Sequence, residues 1–93
     1  MPRIEVNGAQ VAYADTGSGA CVLLLHATAS SGAQWRSLAD MLQPGGRVIA
    51  PDLYGYGDSD AWPGQAPFSL AAEAALAEAV LQGCGPIHLI GHS

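Results

Sequence analysis

Hydrophobic and polar positions follow two different periods along the chain, and each period predicts one kind of element. Near the N-terminus, apolar and polar residues alternate through residues 4–6 and again through 11–14, on either side of Asn7-Gly8. Alternation that flanks an Asn-Gly pair is typical of a β-hairpin. The chain is therefore expected to begin with two paired strands. The Thr-Gly-Ser-Gly segment at 16–19 predicts the loop that follows them.

The rest of the chain switches between short apolar runs and segments with helical spacing. The apolar runs predict further strands and lie at residues 21–25, 48–50 and 87–90. Apolar residues three and four apart predict two helices, one containing Trp35, Leu38, Ala39 and Leu42, the other over 70–82 with Leu70, Ala74, Ala77 and Leu81 on its apolar face. Ser69 is the expected cap of the second helix. The order β-β-β-α-β-α-β predicts an α/β domain, with a leading antiparallel hairpin and then a parallel β-α-β-α-β unit.

Composition and charge narrow the possible partners. The chain has 3 basic and 8 acidic residues, a net charge of −5, and no cluster of Lys or Arg, so neither nucleic acid nor an anionic membrane surface is a predicted partner. No signal-peptide layout is present at the N-terminus, and the apolar run at 20–25 is too short to span a bilayer. A cytosolic location is therefore the expectation.

The two cysteines, Cys21 and Cys84, show no spacing typical of a metal or redox motif. Cysteine often behaves as a small apolar residue in protein cores. We therefore expect two buried free thiols rather than a disulfide.

Three loops that follow predicted strands carry the candidate chemistry. Gly91-His92-Ser93 follows the last strand and matches the start of Gly-x-Ser-x-Gly, a sharp strand-to-helix turn that exposes a serine hydroxyl. The triplet alone is also compatible with an ordinary loop. Residues 26–31 are mostly small, so their backbone can approach a substrate and offer an N–H group to an oxyanion. The His26 side chain is expected to be structural.

The third loop, residues 52–59, contains two glycines and two aspartates. Gly55 and Gly57 suit a tight turn with positive φ. Asp52 and Asp58 are expected to bond local backbone N–H groups rather than to act as catalytic carboxylates or metal ligands. No phosphate-binding glycine pattern is present. Ligands of open α/β sheets bind at the carboxyl ends of the strands, so all three loops are expected at one site.

Together these segments resemble the N-terminal part of α/β-hydrolase fold proteins of the esterase, lipase and C–C bond hydrolase type. The resemblance covers residues 1–93, as one partial domain. Besides the hairpin, the matching segments are Val22-Leu23-Leu24-Leu25-His26 with Trp35, residues 51–59, and His88-Leu89-Ile90-Gly91-His92-Ser93.

The resemblance implies a serine hydrolase of a small ester or related carbonyl substrate, with no cofactor or metal. It implies that Ser93 is the nucleophile and the Thr28 backbone N–H one oxyanion donor, supported by Gly91, His92, His26 and Ala27. The Asp or Glu and the His of the triad, like the second oxyanion donor, would follow Ser93.

One position departs from the family pattern. The residue after the histidine is usually glycine, and here it is Ala27. If that position requires positive φ, alanine costs about 1 kcal/mol or more. The alternative to an enzyme is a non-catalytic binding or scaffold protein of the same fold. A nucleotide-binding domain is disfavoured, because the phosphate loop is missing.

Because the sequence ends at Ser93, we expect the 93-residue chain by itself to be inactive and poorly stable. A terminal carboxylate would lie where an oxyanion must form, which is the wrong sign of charge for catalysis. The last strand, paired on one side with the strand at 22–25, would leave an apolar edge unpaired.

Overall fold

The computed structural model describes residues 2–63 and 68–92, and the order of elements in it is the predicted one. The strands are β1 (Arg3–Val6), β2 (Ala9–Gly17), β3 (Ala20–Leu25), β4 (Gly46–Pro51) and β5 (Ile87–Gly91). The helices are α1 (Arg36–Leu42) and α2 (Leu70–Val80), and short 3-10 turns at Gly32–Trp35 and Gln43–Gly45 flank α1.

The described strands form one mixed sheet in the order β1-β2-β4-β3-β5. β1 and β4 both pair antiparallel with β2, whereas β4, β3 and β5 run parallel to one another. This confirms the predicted fold class, a hairpin followed by a parallel β-α-β-α-β unit. β2 is longer than predicted, because its second half pairs with β4 as far as Gly17 opposite Arg47. The loop predicted at 16–19 therefore shrinks to Ser18 and Gly19.

The hairpin turn has the geometry that its sequence predicts. Asn7 and Gly8 have φ values of 52° and 85°. Two consecutive residues with positive φ make the turn whose twist matches that of paired strands, and asparagine and glycine tolerate this conformation best.

The two helices cover opposite faces of the sheet. On one face Leu24, Val48 and Ala50 form a buried cluster against which Trp35, Leu38, Ala39 and Leu42 of the α1 region pack. On the other face Leu23 and Ile49 pack with Val80 of α2. Neighbouring residues of a strand point to opposite faces. Both faces of β3 and β4 are therefore buried, which explains why their sequences are continuous apolar runs.

The apolar face predicted for α2 is only partly right, because Ala77 and Leu81 pack against the core but Leu70 and Ala74 do not. The buried residues of α2 are Ala72, Leu76 and Val80, whereas Leu70 is 85% exposed. Ala74 is also exposed. The helix is rich in alanine, which carries little apolar area, so several stripes fit its sequence equally well. Ser69 does cap the helix, accepting a hydrogen bond from the Ala72 N–H.

The prediction of free thiols is wrong, because Cys21 and Cys84 form a disulfide with their Cα atoms 6.2 Å apart. Cys21 lies opposite Ile87 in the parallel pairing of β3 with β5, and Cys84 comes three residues before Ile87. The pairing therefore brings the two sulfurs together. Disulfides persist chiefly in oxidising compartments, and the expected cytosolic location stays a prediction. Among the described residues, no helix is long and apolar enough to cross a membrane.

One ion pair joins β2 to β4 near the disulfide. Arg47 binds Asp15 through two hydrogen bonds, from Nε to Oδ1 at 2.9 Å and from Nη2 to Oδ2 at 2.7 Å. Both side chains are partly buried, with 29% of Arg47 and 23% of Asp15 exposed. The hydrogen bonds from Arg47 stabilise the carboxylate and hold the pKa of Asp15 below its usual value.

We expect Asp15→Asn to reduce stability in a pH-dependent way. The pKa of Asp15 is lower in the folded protein than in the unfolded chain. The ion pair therefore stabilises the fold above the unfolded pKa of about 3.9 and stops doing so as the pH falls through the folded pKa. The variant should lower the free energy of unfolding by about 1 kcal/mol at pH 7, and by much less near pH 2. Urea unfolding at both pH values measures this.

Asp40→Asn is the control for that experiment, because Asp40 is an exposed aspartate that forms no ion pair within the described part of the chain. It should leave stability unchanged at both pH values. An equal loss for Asp15→Asn at pH 7 and pH 2 would contradict the ion-pair explanation.

Candidate active site

The three candidate loops meet at one cleft of about 740 Å³, at the carboxyl ends of the parallel strands. The lining residues are Leu25 at the end of β3, His26 and Thr28 after it, Leu53, Tyr54 and Tyr56 after β4, Gly91 and His92 at the end of β5, and Phe68 and Glu73 around the start of α2. The structure thus brings together four of the predicted site residues. Ser93, the predicted nucleophile, lies outside the described residues.

The backbone of β5 is fixed as far as the residue before Ser93. Gly91 lies opposite Leu25 in the parallel pairing, and the His92 N–H donates to the Leu25 carbonyl at 3.0 Å. The His92 ring packs edge-on against Trp35, with ring centroids 6.4 Å apart. Its Nδ1 lies 2.8 Å from Nε2 of Gln34. Both the backbone and the ring of His92 are therefore held by the β3 side of the site.

His26 is buried and binds backbone groups through both ring nitrogens. Its Nε2 accepts a hydrogen bond from the Leu53 N–H at 3.0 Å, and its Nδ1 lies 2.8 Å from the Ala27 carbonyl oxygen. A backbone N–H can only donate, so Nε2 carries the lone pair and Nδ1 carries the proton that the carbonyl accepts. The ring joins the loop after β3 to the loop after β4, and neither nitrogen is free to take a proton from a substrate.

The loop after β3 forms a tight turn. The Ser30 N–H donates to the Ala27 carbonyl at 3.1 Å, and Ala29 has a φ of 63°. Ala27 itself is not in the left-handed region, so the strain expected at Ala27 is absent and falls on Ala29 instead. Thr28 is exposed, and its N–H forms no hydrogen bond within the part of the chain that the structure describes.

Asp52 is buried and bonds to the loops on either side of it. Its Oδ1 accepts from the Gly32 N–H at 2.7 Å, and its Oδ2 accepts from the Asp58 N–H at 2.9 Å. Asp52 therefore bonds backbone N–H groups, as predicted, while Asp58 contributes its N–H rather than its carboxylate. Within residues 2–63 and 68–92, no cluster of three or more His, Cys, Asp or Glu side chains could hold a metal ion.

Two glycines shape the turn that follows Asp52. Gly55 and Gly57 have φ values of 80° and 53°, in agreement with the positive φ predicted for them. A Cβ at Gly57 would collide with the Asp52 carboxylate, whereas a Cβ at Gly55 would meet nothing closer than the Ala61 Cα at 3.9 Å. Both positions favour glycine for their φ, but only Gly57 requires it for space.

Sequence reasoning missed Gln34 and Phe68, but it did give Tyr54, Tyr56 and Trp62 as residues that either border a pocket or pack in a core or loop. Gln34 is an exposed residue whose amide contacts both Ala27 and His92, and no local pattern indicates this. Tyr54 packs edge-on against Trp62 and Phe68, with centroid distances of 5.3 Å and 5.9 Å. The clustering of aromatic residues within 54–68 was the available signal for this aromatic wall of the cleft.

Comparisons with known proteins agree with this geometry. Residues 22–93 match the model of the alpha/beta hydrolase family. A haloalkane dehalogenase of Sphingobium indicum is 42% identical over 57 residues, which cover 61% of this chain and 19% of that protein. Epoxide hydrolase 2 of Siraitia grosvenorii is 37% identical over 94 residues, 96% of this chain and 29% of that protein. The chain thus spans less than a third of these curated relatives.

The fold is likewise shared with solved structures. A thermophilic esterase from Thermogutta terrifontis superposes with a TM-score of 0.81 at 33% sequence identity, covering 100% of this chain and 37% of that one.

The contrast between the two glycines gives a paired prediction. Gly55→Ala should lower the free energy of unfolding by about 1–2 kcal/mol, the cost of alanine in the left-handed region. Gly57→Ala should cost about 1–3 kcal/mol more, because its methyl group also displaces the Asp52 carboxylate. Thermal and urea unfolding of both variants measure the difference. Equal losses would mean that the close approach of Gly57 to Asp52 does not constrain the loop.

Proposed function

The chain belongs to the alpha/beta hydrolase family, and on this premise we propose that Ser93 is the nucleophile of a serine hydrolase that cleaves a small ester or related carbonyl substrate in the complete protein. The observation that carries the proposal is the meeting of three loops at one cleft, with Gly91 and His92 lining it immediately before Ser93 in the sequence. The carboxyl ends of the strands meet at this cleft, and that edge of an open α/β sheet is where a catalytic nucleophile is expected.

Thr28 is proposed as an oxyanion donor through its backbone N–H. The residue lines the cleft, and its N–H is unbonded within the described residues. The turn closed by Ser30 and Ala27 holds the loop from within. A donor that is held in place before reaction stabilises developing charge without having to reorganise, which is why such donors contribute strongly to catalysis.

The proposed reaction has two steps. Ser93 Oγ attacks the carbonyl carbon and loses its proton to a histidine base, while the carbonyl oxygen becomes an oxyanion facing the Thr28 N–H. Collapse of this intermediate expels the alcohol, which takes the proton from the histidine and leaves an acyl group on Ser93. Water, deprotonated by the same base, then attacks the acyl carbon and releases the acid and the serine.

The base must come from the rest of the complete protein. Both His26 nitrogens are bonded to backbone groups. His88 lies in β5 and lines a different cavity, beside the disulfide. His92 is bonded to Gln34 through its Nδ1. The family order, in which the acid and then the histidine follow the serine, is consistent with this.

A serine at this position favours acyl substrates over the alkyl halides and epoxides that the names of some relatives suggest. Attack of Ser Oγ on the saturated carbon of a haloalkane or an epoxide would form an ether. An ether has no carbonyl carbon for water to attack, so the enzyme would stop after one turnover. Attack on an ester or thioester forms an acyl-serine, which water can hydrolyse.

One observation that favoured a non-catalytic binding or scaffold protein does not hold in the structure. That alternative drew partly on Ala27 in place of the usual glycine, but Ala27 does not adopt the left-handed conformation that would make alanine unfavourable.

We expect the complete protein to hydrolyse a p-nitrophenyl ester and Ser93→Ala to lower kcat at least about 1000-fold, because the variant lacks the attacking oxygen. A fluorophosphonate probe should label Ser93, as peptide mass spectrometry would detect. Ser18→Ala, in the turn between β2 and β3, is the control and should keep full activity. Unchanged ester turnover in Ser93→Ala, or turnover of 1-bromobutane or styrene oxide without any ester hydrolysis, would overturn the proposal.

A further inference from the structure

The side-chain amide of Gln34 joins two of the three loops at the cleft. Gln34 lies in the 3-10 turn Gly32–Trp35, directly before α1. Its Oε1 accepts a hydrogen bond from the Ala27 N–H at 2.8 Å, and its Nε2 lies 2.8 Å from Nδ1 of His92. Ala27 and His92 are 65 positions apart in the sequence, and each is the immediate neighbour of a proposed catalytic group, Thr28 and Ser93.

The chemistry of these contacts fixes how the amide and the imidazole are oriented. The Ala27 N–H can only donate, so the amide oxygen must face it, and the amide NH₂ must then face His92. An NH₂ group can only donate, so Nδ1 of His92 must carry a lone pair. The ring is therefore neutral, with its proton on Nε2. If the ring is protonated, both of its nitrogens donate, and no rotation of the Gln34 amide can satisfy Ala27 and His92 together.

We propose that Gln34 is a positioning residue that holds the loop carrying Thr28 to His92, the residue before Ser93 in the sequence, and that it does so only while Nδ1 of His92 carries a lone pair. The proposal rests on the proposed serine hydrolase function. Thr28 N–H and Ser93 Oγ must both reach one carbonyl group, and a displacement of about 1 Å in such a constellation lowers the rate by up to about 100-fold. Gln34 contacts Ala27 and His92, the residues that come directly before Thr28 and Ser93 in the sequence.

The surroundings explain why this link matters. The loop after β3 is anchored at its far end, where the Gly32 N–H binds Asp52, and the turn from Ala27 to Ser30 is closed on itself. Within the described residues, Gln34 is the side chain that bonds the near end of this loop to the end of β5. Trp35 packs edge-on against the His92 ring and limits how it can turn.

Other titratable groups face the same cleft as His92. They are His26 from the loop after β3, Tyr54 and Tyr56 from the loop after β4, and Glu73 from α2. The first test therefore observes the His92 imidazole directly and needs no activity.

Nitrogen-15 NMR of the His92 imidazole in the complete protein, at pH 8, provides this test. The wild type should show one tautomer, with the proton on Nε2 and a hydrogen-bonded lone pair on Nδ1. Gln34→Leu should give a mixture of tautomers. Gln34→Glu should move a proton onto Nδ1, because a carboxylate can accept from both Ala27 and His92. A proton on Nδ1 in the wild type, or no change in Gln34→Leu, would overturn the proposal.

Steady-state kinetics on the p-nitrophenyl ester form the second test. Gln34→Leu should lower kcat about 10- to 100-fold and leave KM nearly unchanged, because transition-state geometry is lost and not ground-state binding. Gln43→Leu, an exposed glutamine in the 3-10 turn at the other end of α1, is the matched control and should behave as wild type. Gln34→Glu should keep more activity than Gln34→Leu, because its carboxylate can accept both from the Ala27 N–H and from a proton on Nδ1 of His92.

The melting temperature of each variant separates this effect from unfolding. A folded Gln34→Leu protein with wild-type kcat, or a folded Gln34→Glu protein no more active than Gln34→Leu, would overturn the positioning role. If the wild type hydrolysed no ester at all, the serine hydrolase proposal would fail, while the NMR test would still decide how Gln34 holds His92.

Discussion

The buried carboxylate of Asp52 is the interaction on which the cleft depends. It follows β4 directly and bonds the backbone N–H of Gly32 on one side and of Asp58 on the other. Its own carbonyl accepts from the Ser59 hydroxyl at 2.6 Å. Unpaired, such a buried charge would be strongly unfavourable, but here each carboxylate oxygen accepts a backbone donor. Gly57 completes the arrangement, because any side chain there would occupy the carboxylate's place.

Different kinds of contact hold the chain at the two ends of the parallel strands. At the amino ends, the disulfide from Cys21 to Cys84 and the Arg47–Asp15 ion pair hold β3, β4 and β2 to the segment that leads into β5. At the carboxyl ends, noncovalent contacts through backbone N–H groups, one histidine and one glutamine hold the loops. The contacts at the amino ends fix the positions of the strands relative to one another. The loops at the carboxyl ends carry the candidate chemistry, which is the usual arrangement in open α/β sheets.

The relatives by sequence or structure include a haloalkane dehalogenase, an epoxide hydrolase and an esterase, so membership of the family does not by itself decide the reaction. Under the proposed function, the serine at position 93 carries more information, because its attack on a saturated carbon would form an ether that hydrolysis does not break. The cleft contributes an aromatic wall around Tyr54 and, at Thr28, a backbone N–H that is unbonded within the described residues.

The sequence by itself determined the order of elements, the Asn7-Gly8 turn, the cap at Ser69 and the three loops that form the cleft. These follow from period and turn chemistry, which act over a few residues. Tertiary structure alone decided which face of the alanine-rich α2 is buried, that two cysteines 63 positions apart are bonded, and that Gln34 joins Ala27 to His92. The physical reason is the same in each case: these features depend on which strands become neighbours and in what register, and a local pattern carries no record of either.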